Sequence, residues 1–163
     1  MIIYKKGDLL KSACNIIVHQ VNCQGVMGSG IAKQIRDKWP EVYTDYQKFI
    51  ENVYINKMAK DSEDLLGLIS TTRVYDGGAA YIVNFFSQDQ YIPRNICHTS
   101  TYAFRKCCEA LKELIGRHYV KDYCVIGFPY KIGCGLAGGD WSIISKIIED
   151  EFQDYNVEIY MLD

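Results

Sequence analysis

The sequence predicts an α/β domain of three layers, with helices on both faces of a central sheet that is mixed and mostly parallel. Three observations favour this fold. Segments rich in β-branched residues alternate with segments of helical periodicity. Two of the strand segments are almost continuously apolar, which is typical of strands buried on both faces. Most connections between these segments are short, and 163 residues without an internal repeat fit one domain spanning residues 1–163.

Six segments have the pattern of strands. The segments 15–21 and 123–129 are the two nearly unbroken apolar runs. Asp76-Gly77-Gly78 separates two other segments and predicts a hairpin turn between them. The predicted strands are residues 2–4, 15–21, 66–75, 80–86, 123–129 and 157–161.

Four segments have the pattern of helices, at residues 31–39, 42–56, 102–117 and 141–152. Pro40 ends the first of them, and Asp140 is well placed to cap the last. Residues 87–100 have no period and form a predicted loop of 14 residues. A loop of that length in a compact domain indicates a binding or lid role.

The charge balance and hydropathy exclude several classes of protein. The net charge is −2, from 18 basic and 20 acidic residues, which argues against an extended nucleic-acid-binding face. No apolar run approaches the ~20 residues of a membrane span, and Lys5 and Lys6 follow the first residues too soon for a secretory signal. We therefore expect a soluble, cytoplasmic protein without a membrane partner, and we expect a monomer.

Seven cysteines occur, an odd number without a C-x-x-C pair. This count and spacing disfavour both a disulfide framework and a zinc site. We expect most of the cysteines to be free, small core residues. Carboxylates and histidines also lack the spacing of a metal site, so no metal and no cofactor are expected.

Two glycine-rich loops, at residues 22–30 and 133–139, each follow a buried strand and precede a helix. In open α/β sheets ligands bind beyond the carboxyl ends of the strands. Glycines let the backbone approach a phosphate, and free N–H groups and the helix dipole favour negative charge. Two facing loops of this kind can bind a diphosphate, although each could instead be a tight turn. Neither loop has the P-loop or the G-x-G-x-x-G pattern.

Three segments of the sequence resemble the signatures of macrodomains. They are Lys6-Gly7-Asp8-Leu9-Leu10, residues 21–32 and residues 129–141, and their order and spacing match over essentially the whole chain. The resemblance is greatest to the branch that contains the yeast-type ADP-ribose-1″-phosphate phosphatase and the DNA- and protein-directed ADP-ribosyl hydrolases. It implies that ADP-ribose binds in a cleft over the strand ends.

The resemblance implies a role for residues at the adenine end of this cleft. Asp8 would accept a hydrogen bond from the adenine amino group, with Leu9 beside it, and Tyr160 would stack on the adenine. From the residues alone, Asp8 is better explained as a turn former, whereas Tyr160 can equally be a core tyrosine. The resemblance places Asn22, Asn84 and Gln88 near the distal ribose. Gly28, Ser29, Gly30 and Ile31 would close over the distal ribose and one side of the diphosphate. The loop residues Gly133, Cys134, Gly135, Leu136, Ala137 and Gly138 would wrap the diphosphate from the other side.

His19 and Asp140 match a histidine and an acidic residue of the yeast-type phosphatase. A histidine and a carboxylate can supply a base or nucleophile and an acid for hydrolysing a phosphomonoester. A histidine in a buried strand is more often a core residue with its hydrogen bonds satisfied, and Asp140 can equally serve only as a helix cap.

The sequence departs from the DNA- and protein-directed hydrolases at two places. Their catalytic lysine would fall near Gln88, and the protein-directed enzyme has an aspartate where this chain has Ala137. Both differences favour hydrolysis of the terminal phosphate of ADP-ribose 1″-phosphate. Asp89 is a further candidate for acid–base chemistry. Two alternatives stay open: a hydrolase that removes ADP-ribose from protein or nucleic acid, and a reader that binds ADP-ribose without turnover.

Overall fold

A computed structural model describes residues 1–76, 79–91 and 96–162. Within these ranges six strands form one sheet in the order β1-β6-β5-β2-β4-β3. All neighbouring strands are parallel except β3, which is antiparallel to β4. The predicted mixed, mostly parallel sheet is therefore confirmed. The strands are β1 (Ile2–Lys6), β2 (Ile16–Asn22), β3 (Ile69–Tyr75), β4 (Ala79–Gln88), β5 (Val125–Pro129) and β6 (Asn156–Met161).

Helices cover both faces of the sheet, as predicted. Helices α1 (Gly30–Lys38) and α2 (Pro40–Ile55) pack on one face, and α3 (Thr101–His118) and α4 (Trp141–Phe152) on the other. Helix α2 begins at Pro40, two residues before the predicted start, because proline is favourable at the first helical position. No helix in the described part of the chain is long and apolar enough to cross a membrane.

The core consists of two hydrophobic clusters separated by the sheet. All residues of β2 are buried, and they alternate between the clusters: Ile16 and Val18 face α3 and α4, whereas Ile17 and Val21 face α1 and α2. This alternation confirms that the apolar segment is a strand covered on both faces. All seven cysteines are free and five are buried, in line with the sequence.

The structure shifts several predicted boundaries. Strand β3 begins at Ile69 rather than residue 66, since residues 62–65 form a short 3-10 helix. A similar turn at residues 121–123 delays the start of β5. Strand β4 continues to Gln88, which forms a β-bridge with Thr99 inside the predicted loop 87–100. Gly77 and Gly78 of the predicted hairpin turn, and residues 92–95 of that loop, lie outside the described residues.

Candidate ligand-binding cleft

A cleft of about 790 Å³ lies at the carboxyl ends of the strands, between the two glycine-rich loops. Its centre is the boundary between β5 and β2. From β5 the chain continues through α4 to β6 on one side of the sheet order, and from β2 through α1 and α2 towards β4 on the other. Adjacent strands whose connections diverge in this way form the usual ligand-binding crevice of α/β proteins.

The first loop is folded around the side chain of Asn22. Its Oδ1 accepts hydrogen bonds from the backbone N–H groups of Gln24 (3.0 Å) and Val26 (3.3 Å), and its Nδ2 donates to the Val26 carbonyl (2.6 Å). The buried Tyr46 hydroxyl lies 2.5 Å from the Asn22 carbonyl oxygen and accepts from Gly25 N–H (3.2 Å). Asn22 lines the cleft, but most of its hydrogen-bonding capacity serves the loop.

Replacing Tyr46 by phenylalanine is expected to lower the free energy of unfolding by about 2 kcal/mol, because it leaves Gly25 N–H and the Asn22 carbonyl without their partner. Urea unfolding of Tyr46→Phe measures the loss. The control is Tyr123→Phe, at a tyrosine that is 83% exposed. Equal stability of the two variants would contradict this account of the loop.

The first turn of α1 presents backbone donors to the cleft. Gly28, Ser29, Gly30 and Ile31 all line it. Within the described ranges, their N–H groups donate to no protein acceptor. Ser29 is the N-cap, and its side chain makes no capping hydrogen bond. The end of the helix with positive partial charge is therefore open to an anion.

The second loop presents a similar set of donors. Gly139 N–H donates to the Gly133 carbonyl (2.8 Å) and closes the loop. The N–H groups of Gly135, Leu136 and Ala137 donate to no acceptor among the residues described. These three residues and Gly133 line the cleft.

Cys134 and Gly138 do not line the cleft. The Cys134 thiol donates to the Ile132 carbonyl (3.3 Å), and Gly138 packs against Cys97. The two residues therefore shape the loop from behind.

The end of the cleft next to β1 and β6 is lined by Asp8, Leu9 and Tyr160. Asp8 Oδ1 accepts from Leu10 N–H (2.9 Å), so the second carboxylate oxygen is left for a ligand. The Tyr160 hydroxyl donates to Glu158 Oε2 (2.6 Å), whose other oxygen pairs with Lys5 (2.6 Å). Burial and the Glu158 carboxylate raise the pKa of Tyr160 well above its usual value, so the hydroxyl stays protonated and the ring is held in place.

The opposite end of the cleft is lined by amide side chains. Gln88 accepts a hydrogen bond from Gln20 Nε2 (3.2 Å) and donates to the Gln90 carbonyl (2.5 Å). Among the described residues that line the cleft, Asp8 and Lys131 are the charged ones. The distal end therefore offers hydrogen bonds rather than charge.

The structure does not bring His19 or Asn84 to the cleft. His19 is fully buried on the face that packs against α1 and α2, and its Nε2 lies 2.5 Å from Asn84 Oδ1. Asn84 in turn donates to Ser70 Oγ (3.0 Å). Burial lowers the pKa of His19 from 6.5 to about 4, although the hydrogen bond to Asn84 acts in the opposite direction. His19 Nδ1 has no partner within the described part of the chain.

Asp140 caps α4, as predicted. Its Oδ1 accepts from the N–H (2.9 Å) and hydroxyl (2.7 Å) of Ser142, and these bonds lower the pKa of the exposed carboxyl. Asp140 does not line the cleft, and α4 packs on the sheet face opposite His19. The two residues therefore share no site, and their catalytic roles stay predictions.

Asp89 also lies outside the cleft. Its carboxylate accepts hydrogen bonds from Ser62 (2.9 Å) and Gln24 (3.3 Å).

Several residues that line the cleft are absent from the sequence prediction, among them Gln20, Tyr130 and Lys131. Gln20 is a polar residue within the largely apolar β2, one residue after His19 and two before Asn22, and its place near the strand end is a signal that could have identified it. Tyr130 and Lys131 directly follow β5, so their place at a strand end is a signal that could have identified them.

In the described ranges, no group of three or more His, Cys, Asp and Glu side chains is placed to hold a metal ion.

This fold and cleft are those of a macrodomain. The chain superposes on the macrodomain of DarG from Mycobacterium tuberculosis with a TM-score of 0.78 and 25% identity, over 98% of this chain and 97% of that one. Together with the sequence similarity described below, this superposition shows that the chain has the macrodomain fold. No protein-family model matches the chain.

Two groups of curated relatives are similar in sequence to this chain along nearly its full length. The DNA ADP-ribosyl glycohydrolase of Mycobacterium bovis is 30% identical over 98% of this chain, and the chain spans 42% of that protein's length. The ADP-ribose 1″-phosphate phosphatase of Debaryomyces hansenii is 27% identical, and the match covers 100% of both chains.

Proposed function

We propose that the chain binds ADP-ribose in the cleft and hydrolyses the terminal phosphate of ADP-ribose 1″-phosphate. The observation that carries the proposal is the pair of glycine-rich loops, which direct unpartnered backbone N–H groups into one cleft from two sides. A diphosphate fits such a site because its oxygens need several donors at once and carry negative charge. The full-length similarity to the D. hansenii phosphatase supports the reaction.

In the proposed complex the ligand lies along the cleft, from β1 to β4. The adenine binds between Asp8, Leu9 and Tyr160, and the diphosphate lies between the loops. The distal ribose reaches Asn22 and Gln88. The proposed loop contacts are those of Gly28, Ser29, Gly30 and Ile31 on one side and of Gly133, Gly135, Leu136 and Ala137 on the other.

Of the two catalytic residues that the resemblance implies, the geometry supports Asp140 better than His19. Asp140 does not itself line the cleft, but it is exposed directly after the second loop, and its Oδ2 accepts no hydrogen bond from the described residues. An acid or base must reach its substrate directly or through one water molecule. His19 is sealed under α1 and α2 and is neutral at pH 7, so it meets neither ligand nor solvent.

Phosphate release from ADP-ribose 1″-phosphate, measured without added metal, tests the reaction. We expect release by the wild type and a loss of about a hundredfold in both Asp140→Ala and Asp140→Asn. The asparagine variant is the matched control for folding, because asparagine caps a helix as well as aspartate does. If phosphate release falls in Asp140→Ala but not in Asp140→Asn, the role of Asp140 is to cap α4 rather than to take part in the reaction. Absence of release by folded wild-type protein would reject the phosphatase.

A second candidate function is removal of ADP-ribose from nucleic acid. The distal end of the cleft offers amides rather than cations, which suits a neutral ribose substituent better than a phosphate. The similarity to the M. bovis glycohydrolase points the same way. Release of ADP-ribose from an ADP-ribosylated DNA oligonucleotide, run beside the phosphate assay, separates the two reactions. Binding without either product identifies a reader.

The chain is further proposed to act as a single domain, as a monomer and in the cytoplasm. The continuous sheet, with both faces covered by helices, supports one domain. Seven free cysteines suit a reducing compartment. Sedimentation equilibrium of the purified chain tests the monomer.

A further inference from the structure

A chain of hydrogen bonds runs beneath the cleft from β4 to the second loop. Ser87 Oγ donates to Gln20 Oε1 (2.7 Å), and Gln20 Nε2 donates to Thr99 Oγ1 (3.0 Å). Thr99 Oγ1 then donates to the Gly133 carbonyl (2.7 Å). Ser87, Gln20 and Thr99 are all buried. This series of hydrogen bonds therefore connects the strands β2 and β4 with the segment 96–99 and with the start of the second loop.

Each of these hydrogen bonds has only one possible direction. The Gly133 carbonyl can only accept, so the Thr99 hydroxyl uses its single hydrogen there and its oxygen accepts from the Gln20 amide group. The Gln20 carbonyl oxygen is thereby turned to the Ser87 hydroxyl. Because these groups are buried, reversing any one of them would leave a polar atom without a partner.

The same segment holds the second loop at its other end. The Ala137 carbonyl accepts from His98 N–H (2.8 Å) and Thr99 N–H (3.2 Å). The Gly133 carbonyl also accepts from Gly139 N–H (2.8 Å). The loop is thus held at both ends, while Gly135, Leu136 and Ala137, whose N–H groups donate to no acceptor among the described residues, line the cleft.

We propose that Gln20 and Thr99 are positioning residues that hold the second loop in its diphosphate-binding conformation and so favour ligands with a diphosphate over ligands with one phosphate. The inference rests on the proposed binding of ADP-ribose. A loop that is already ordered loses little conformational freedom on binding. Its several donors can then contact two phosphates at once. An AMP phosphate reaches fewer of these donors and depends less on the loop.

Calorimetric titration of Thr99→Val with ADP-ribose, ADP and AMP tests the inference. Valine keeps the shape of threonine and removes the hydroxyl. We expect the affinities for ADP-ribose and ADP to fall about tenfold and the affinity for AMP to change less than about twofold. Gln20→Leu is expected to lower the affinity for ADP in the same way, and the double variant to lose no more ADP affinity than the larger single loss, because the two residues act in one hydrogen-bond network. ADP is the ligand for this comparison, because Gln20 also lines the cleft and donates to Gln88 at the distal end.

Two further variants separate positioning from loss of stability. Thr99→Ser keeps the hydroxyl and is expected to restore the wild-type preference. Thr72→Val removes another buried threonine hydroxyl, which donates to Asp45 (2.9 Å) outside the cleft. It should lose stability as Thr99→Val does while keeping the affinities. An equal loss for all three ligands in Thr99→Val, or no loss, would overturn the inference.

Hydrogen exchange of the loop amides gives an answer that does not depend on any ligand. Gly138 and Gly139 N–H groups are hydrogen-bonded within the loop. They are expected to exchange faster in Thr99→Val than in Thr72→Val. If the wild type binds none of the three nucleotides, the proposed function fails. Unchanged exchange in Thr99→Val would instead show that the residues do not position the loop.

Discussion

Gly133→Ala is expected to weaken the binding of ADP-ribose by about tenfold to a hundredfold while the protein stays folded. Gly133 has φ +73°, a left-handed conformation that an alanine adopts only with strain. A Cβ there would lie 2.8 Å from Gln20 Oε1. Gln20 cannot retreat easily, because Ser87 and Thr99 hold both ends of its amide. The loop must therefore shift, and its donors shift with it.

Calorimetric titration with ADP-ribose measures the effect of this substitution, and thermal unfolding confirms the fold. Gly116→Ala is the matched control, since a Cβ at this position in α3 meets nothing within 4 Å and lies away from the cleft. Affinity of Gly133→Ala within about twofold of the control would show that the loop tolerates the side chain, and the proposed diphosphate site would lose its main structural support.

Acid is expected to destabilise the protein through His19. Above pH 6.5 the histidine is neutral in both folded and unfolded chains. Between pH 6.5 and about 4 only the unfolded chain binds the proton, since burial lowers the pKa of His19 to about 4 in the folded protein. The free energy of unfolding therefore falls as the pH falls through this window, by about 3 kcal/mol in all from this one group.

Urea unfolding between about pH 7 and about pH 4.5 measures this loss. His19→Gln removes the titrating group, so the free energy of unfolding of this variant should depend less steeply on pH. The slope should differ from that of the wild type by the equivalent of at most one bound proton. His118→Gln, which removes an exposed histidine instead, is the matched control. Equal slopes in the two variants would mean that His19 is protonated in the folded protein and that its surroundings are more polar than the buried site indicates.

Much of the fold could be predicted because its signals are local. The bounds of α4 match the prediction, since Asp140 provides an N-cap directly before a periodic apolar segment. Strand β2 is buried along its whole length, as its apolar run indicates. The predicted start of β3 is three residues too early, because residues 62–65 form a 3-10 turn through side-chain and backbone hydrogen bonds that hydropathy does not reveal.

The site was only partly predictable, because it depends on depth and on contacts between distant residues. His19 precedes Asn22 by three residues, which places it about 10 Å below the strand end where the ligand is proposed to bind. The resemblance identified the residue but could not show that depth. Gln20 pairs with Ser87 and Thr99, which lie 67 and 79 residues away in sequence. No local pattern links an amide to hydroxyls at such separations.

The register of β2 against β4 changes by one residue at the cleft. Val21 is level with Phe86, but Asn22 is level with Gln88, so Ser87 is the extra residue of a β-bulge. The bulge turns Ser87 towards Gln20 and sets Gln88 at the strand end. Inserting or deleting one residue here would replace the group at the distal end and leave both hydrophobic cores untouched. A change of chain length at the bulge could thus exchange the group at the distal end, but it would also displace the Ser87 hydroxyl on which the buried Gln20 amide depends.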